Sequence, residues 1–257
     1  MEFLEKNYLQ TSTQFAVNSN TLLAERVMDR DETRQWISQN YNDDSATSVM
    51  TISFDETMPV SRLALCAMNL KEFKMYYNGV TANTFAIQEG ATTVTDFATN
   101  SETAMFFRTT EVQCTSITIE MKKTQLANSE KAIGYLYVGK DLVDFEKVPA
   151  ASGYTPRLDS DEVVHKMSDG GIKINRKSIK RYADVKIKYV SREFREELRD
   201  IHDRDDSFVF VAFPTMTAWD EMIFPCVWEG DFDFYKHSDN SPAAGFEGMI
   251  RLRETPT

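Results

Sequence analysis

Cysteine, histidine, glycine and proline are all scarce in this chain of 257 residues, which has 3 Cys, 3 His, 10 Gly and 7 Pro. The cysteines, Cys66, Cys114 and Cys226, form no close pair. A zinc site needs closely spaced Cys or His ligands, so none is expected. Three isolated thiols in apolar surroundings are expected to be buried, free and kept in a reducing compartment. His165, His202 and His237 lie far apart among charged neighbours, and structural roles are expected for all three. No G-x-S-x-G elbow, phosphate-binding loop or H-E-x-x-H motif occurs. The stretch MSDGGIKIN, with its Gly170-Gly171 pair, precedes a strand pattern rather than a helix, so it reads as a turn. No apolar run reaches membrane-spanning length, and the charged start MEFLEKNYLQ lacks the apolar region of a signal peptide. The expectation is a soluble protein that is not an enzyme.

Acidic residues are plentiful. The net charge is -11, with 42% hydrophobic and 27% charged residues. This is globular composition with core enough for one large domain or two ordinary ones. The acidic field disfavours DNA and anionic membranes, so neither sequence-specific nucleic-acid binding nor membrane insertion is expected.

From Thr21 to about Gly139 the hydrophobic pattern has a period of two. VMTISF (49–54), CTSITIEM (114–121) and AIGYLYVGK (132–140) alternate cleanly and are rich in β-branched and aromatic residues. Turn residues separate them, at Asp55 to Pro59 and Asn128-Ser129 among others. The stretch SRLALCAMNLKEFKMYYNG (61–79) reads as an apolar strand, an asparagine corner at Asn69 and an aromatic strand. Residues 149–171 have linker composition, and residues 1–20 read as a polar N-terminal arm that orders against a neighbour. The domain division is therefore an arm over 1–20, a β-sandwich over 21–148, a linker over 149–171 and an α+β domain over 172–257.

In that last domain, ADVKIKYV (183–190) alternates. Ser191 then offers an N-cap hydroxyl to a helix whose apolar positions are Phe194, Leu198 and Ile201. Four strand patterns follow at 207–214, 221–230, 231–237 and 245–255. The fold class is mainly β: a sandwich, then one clear helix packed on an antiparallel sheet.

Two candidate surfaces stand out. Trp36, Asn40, Tyr41 and Asn42 form a candidate ligand loop. Asn40, Asn42, Asp43 and Asp44 offer hard oxygen ligands, so a calcium loop is conceivable, but the full EF-hand spacing is missing and a solvated turn is the plainer reading. No cofactor is expected. Met216, Trp219 and Met222 surround an aromatic loop tip and are candidate assembly contacts.

The first 140 or so residues resemble the discoidin-like, or galactose-binding-like, β-sandwich family. The resemblance rests on Trp36 ahead of the first core strand, Ile52-Ser53-Phe54-Asp55, Val60 to Leu65, the Asn69 corner, Phe73 to Tyr77, and the closing strands at 116–120 and 133–139. It implies a sandwich with sugar- or lipid-binding loops at one end. Secreted members close the domain with a disulfide between its ends, which this sequence lacks. The second half is similar in layout to small virion proteins of tailed bacteriophages. That resemblance implies a non-enzymatic tail or baseplate component. It would be made in the host cytoplasm and built into the virion through β-edge and loop contacts with its own copies and other virion proteins. The alternative is a discoidin-like carbohydrate-binding module for host-surface glycans.

Overall fold

A computed structural model describes residues 1–10, 13–30, 34–79, 84–86, 95–145, 153–167, 171–204, 206–213, 223–236 and 245–255. The chain divides into two compact units, the first built on Glu2–Leu142 and the second on Val143–Phe210 with Phe224–Pro256.

The first unit contains β1 (Glu2–Leu4), β2 (Thr13–Val17), β3 (Trp36–Ile37), β4 (Ser48–Cys66), β5 (Leu70–Gly79), β6 (Thr84–Ala86), β7 (Thr95–Phe97), β8 (Met105–Thr124), β9 (Ala132–Ile133) and β10 (Tyr135–Gly139). β11 (Asp141–Asp144) runs across the division. The main sheet has the order β10-β4-β8-β5-β6, with β2 also on β4 and β7 also on β5. The long strands β4 and β8 explain why it closes into a sandwich. Ser48–Ser53 of β4 pair with Ser116–Met121 of β8, while Arg62–Leu65 pair with Met105–Arg108. Between these ladders the register slips twice, and Asp55 to Thr57 are exposed. Bulges of this kind bend a strand. One half of each strand thus belongs to a layer with β2 and β5, the other to a layer with β10. Met50, Ile52, Leu63, Leu65, Ile117, Ile119, Leu136 and Val138 share one buried core between them. The sequence predicts a turn at Asp55 to Pro59, but β4 runs through it. Those polar residues sit in the bulge, where exposure suits them without ending the ladder.

The N-terminal residues also differ from the expected arm. Phe3 and Leu4 are buried, and Tyr8 and Leu9 join or border the core. Glu2, fully buried, binds Arg62 Nε at 2.6 Å and also pairs with Arg108. The Asn7 amide donates to Leu136 O at 2.8 Å and accepts from Val138 N at 3.1 Å, so a side chain continues the ladder at this edge of β10. Tyr137 Oη donates to Glu5 O at 2.8 Å. The average polarity of the segment concealed polar groups that each have a dedicated partner.

The second unit contains β12 (Tyr154–Lys166), β13 (Ile172–Val190), α1 (Arg192–His202), β14 (Phe208–Val211), β15 (Ile223–Trp228), β16 (Phe234–Lys236) and β17 (Phe246–Glu254). The strand order is β14-β15-β17-β13-β12, with β16 on β17. All four strand patterns read after the helix are present. Ser191 Oγ accepts from Phe194 N at 3.1 Å, the N-cap expected, and Leu198 and Ile201 are buried. Phe194 meets Phe145 edge-on at 5.5 Å, and Arg195 lies over the Phe232 and Phe246 rings.

The supposed linker 149–171 is mostly strand. β12 pairs with β13 along its whole length, whereas β17 joins β13 only from Tyr182 onward. Residues 158–166 of β12 and 172–180 of β13 are therefore a two-stranded ribbon reaching past the rest of the described sheet. Its polar composition reflects that exposed position, not absence of structure. No helix among the described residues is long and apolar enough to cross a membrane.

Candidate functional site

Residues 38–46 form a loop at one end of the sandwich, between β3 and β4. Its entrance is set by the β3–β9 pair, with Trp36 opposite Ile133 and Ile37 opposite Ala132. The Trp36 indole is fully buried and its Nε1 donates to Asn20 O at 3.3 Å. Trp36 therefore positions the loop from beneath and offers no surface for stacking.

The loop is held by the chain just before β9. Ser38 N donates to Lys131 O at 2.8 Å, and Lys131 N donates to Ser38 Oγ at 2.9 Å. The Glu130 carboxylate accepts from the Ser38 hydroxyl, from Asn40 N at 3.0 Å and from Tyr41 N at 3.2 Å. The Lys131 ammonium donates to Asp43 O at 3.0 Å and to Tyr41 O. Lys131 is fully buried, and burial holds its pKa below the ordinary lysine value against the pull of Asp44, Glu130 and Asp43. Asp43 Oδ1 accepts from Ser45 N at 2.8 Å, and that backbone hydrogen bond lowers the Asp43 pKa. Asn40 adopts a left-handed φ of 65°, which Asn tolerates better than other side chains.

Asn69, the corner between β4 and β5, braces the support from behind. Its amide donates to Glu130 O at 2.8 Å and its carbonyl accepts from Ala132 N at 2.9 Å, while its own backbone bonds Ala132 O and Gln125 N. The result is a loop of fixed backbone whose Asn40 and Asn42 side chains face solvent, with Tyr41 half-buried beside them. The structure brings Asn40, Tyr41 and Asn42 together and withdraws Trp36. Glu130 and Lys131 escaped the sequence reading because their partners lie about 90 positions earlier and are mostly backbone atoms, which leave no residue pattern.

Met216, Trp219 and Met222 lie outside the described residues. Cys66, Cys114 and Cys226 are free and buried. Burial pushes the Cys66 and Cys114 thiols up to about 12, which makes them poor nucleophiles. His202 contacts Asp203 and Gly230 O and meets Trp228 edge-on at 5.4 Å, a packing role at the end of α1. Among the described residues no group of three or more His, Cys, Asp or Glu is arranged to hold a metal.

An open groove also crosses the second unit, lined by Lys186, Glu229, Tyr235, Glu247 and Arg251 among others. Two of its charges have partners: Lys186 lies 3.2 Å from Glu247, and Glu229 lies 3.2 Å from Arg253.

No protein-family model matches this chain, and no curated protein matches it. Solved structures do. A lectin binding domain of lectinolysin complexed with Lewis b is 12% identical, covers 53% of this chain and 98% of its own, and has a TM-score of 0.41. A chitosan-binding module of a chitosanase/glucanase from Paenibacillus sp. IK-5 is 13% identical, with 52% and 99% covered and a TM-score of 0.41. The family 32 carbohydrate-binding module from Clostridium perfringens NanJ, in complex with galactose, is 12% identical, with 54% and 98% covered and a TM-score of 0.41.

Proposed function

We propose that the first unit is a non-catalytic carbohydrate-binding module and that the loop 38–46 is its ligand contact. The observation that carries this reading is the fixed loop itself. Glu130 and Lys131 immobilise the backbone from inside, so Asn40, Tyr41 and Asn42 meet a ligand already ordered. A sugar offers many weak hydrogen bonds and little apolar surface. Binding it depends on sparing the entropy of ordering the protein. Two carboxamides supply donors and acceptors, and a tyrosine ring supplies an amphipathic face. The discoidin-like pattern of the sequence, which implies ligand loops at one sandwich end, agrees with this location.

The test is a glycan array followed by calorimetry on the whole chain. Galactose, chitosan oligosaccharides and Lewis b are the first probes. Tyr41→Ala and Asn42→Ala are each expected to weaken binding about tenfold, the loss of one good contact of roughly 1.4 kcal/mol, with circular dichroism unchanged. Absence of binding to any glycan, or binding indifferent to both substitutions, would overturn the assignment.

A second reading is self-assembly, as a tail or baseplate component within a virion. What favours it is the ribbon of β12 and β13, which carries exposed Leu158, Val164 and Ile172. Over residues 172–180, β13 has β12 on one side and no described strand on the other. An exposed apolar face on such a ribbon is a ready contact for another copy.

A further inference from the structure

The open groove of the second unit has a volume of about 520 Å3, a size that suits a small ligand. Tyr235 of β16 and Met249 of β17 line it, and Tyr235 is 55% exposed. Its walls are fixed. Glu247 is buried and held by Lys186 at 3.2 Å and Lys188 at 3.7 Å. The connection 229–233 is anchored along its length: Glu229 N donates to Arg251 O at 2.8 Å, His202 Nε2 lies 3.1 Å from Gly230 O, and Phe232 stacks on Phe234 at 4.8 Å. Asp231, Asp233 and Arg251 line the same groove, and among the described residues their side chains make no hydrogen bond or ion pair. Idle acceptors and an idle donor thus share one groove. An anion would meet the two carboxylates there, and a cation the guanidinium. An uncharged polyol suits both, because each hydroxyl donates and accepts.

A second observation points to the same groove. The register between β13 and β17 slips so that Lys188 and Tyr189 together oppose Glu247, whose neighbour on the other side is Tyr235. Bulges of this kind re-aim side chains and are common beside functional sites. Tyr189 has a φ of 60°, a left-handed conformation that a bulky side chain adopts only under strain. Gly245 holds it there, so closely that a Cβ on that glycine would lie 2.8 Å from Tyr189 Cα. The Tyr189 side chain is 65% exposed, so burial does not repay the strain. Two strand spacings, about 10 Å, separate the backbones of Tyr189 and Tyr235, which is room for a short chain of sugars rather than one.

We propose that this groove binds an uncharged oligosaccharide. Tyr235 and Tyr189 offer ring faces to its sugars, and Arg251, Asp231 and Asp233 pair with its hydroxyls. The site belongs to the second unit and does not rest on the loop 38–46 as a ligand contact.

The experiment is calorimetry on the whole chain, as wild type and with Tyr41→Ala plus Asn42→Ala, which removes the contacts proposed for the first unit. Cellohexaose, maltohexaose and β-1,4-galactohexaose are the neutral probes. Hexagalacturonate and the hexamer of glucosamine are the charged ones. At least one neutral probe should bind the loop variant, more tightly than either charged hexamer and equally well at low and high salt. Adding Tyr235→Ala or Asp233→Asn should weaken that binding about tenfold each. Both positions are exposed, so circular dichroism and Tm should match the parent chain. Tyr189→Gly should also weaken binding while leaving Tm unchanged or higher, since glycine adopts this backbone freely. No binding of any neutral probe, preference for a charged hexamer, or binding indifferent to any of these three substitutions would overturn the proposal. Comparison with the wild type separates the two sites. Binding by the wild type that the loop variant lacks assigns the glycan to the first unit alone and overturns the groove. Binding untouched by the loop substitutions and weakened by Tyr235→Ala upholds the groove and removes the loop from recognition.

Discussion

Asn69 does with one side chain what a strand does with several backbone groups. It donates to Glu130 O and accepts from Ala132 N, so it closes the gap between the β4–β5 corner and the segment that carries the loop's supports. Asn69→Ala leaves a half-buried carbonyl and N–H without their partners, at a cost of about 1–3 kcal/mol. Asn69→Asp keeps the acceptor for Ala132 N–H but sets a carboxylate oxygen against the Glu130 carbonyl, so it should destabilise as well despite equal size. Urea denaturation reads both as a lower midpoint at constant m-value, and a midpoint within error of wild type for Asn69→Asp would refute the donor role. At this scale the sequence was legible where residue type dictates geometry. An Asn between an apolar and an aromatic strand signals a corner, and Ser191 signals a helix start. It was misleading for Trp36, because a Trp ahead of a core strand serves a surface platform and a buried brace equally well. Only the β3–β9 pairing, across about 96 positions, decides between them.

At the scale of elements, alternation located most strands because one buried face leaves a period-two trace. Ile117, Ile119 and Met121 of β8 face Ile52, Met50 and Ser48 of β4 as that pattern requires. What it could not show is where a strand bends. The bulge of β4 shares its polar residues with a true turn, and only the continued pairing of Met58 with Cys114 separates the two. The β5–β8 ladder carries an electrostatic consequence. Glu72 lies opposite Lys123, at 2.6 Å from its ammonium and 2.7 Å from that of Lys122. Hydrogen bonds from Lys122 and Lys123 lower the Glu72 pKa to about 2. Because the folded value lies below the unfolded one, the Glu72 contribution is complete above the ordinary glutamate pKa near 4.5 and is lost as pH falls toward 2. Glu72→Gln should therefore flatten part of the acid limb of the stability curve between those values while leaving the slope above pH 5 unchanged, about the range where glutamates are already ionised. Melting temperature against pH for the two chains checks this. Identical acid limbs would show that the triad is screened out by solvent.

At the scale of the whole molecule, a net charge of -11 hides its own distribution. Residues 172–180 of β13 include Lys173, Arg176, Lys177 and Lys180 and no acid, while β12 carries Asp159, Asp161 and Glu162. The register sets Asp159 opposite Lys180, so charge as well as backbone hydrogen bonding favours this pairing of the ribbon. Composition alone read this acidic-then-basic stretch as a linker and a separate strand, because cross-strand pairing is invisible along the chain. By the same alternation Leu158, Val164 and Ile172 fall on one face of the ribbon, and they are 71%, 53% and 63% exposed. Two β13 edges would repel each other, so copies meeting here must do so through that apolar face. Leu158→Asp with Val164→Asp tests this directly. Both positions are exposed, and such substitutions usually move stability by less than about 0.5 kcal/mol, so the chain should fold normally. If assembly is the protein's work, light scattering of the wild type should show mass rising with concentration at physiological salt, and the double variant should shift that rise to markedly higher concentration. Apolar association of this kind should persist at high salt, where contacts between exposed charges weaken. A wild type that stays monomeric throughout, or an assembly that the double variant leaves intact, would assign the ribbon no part in self-association.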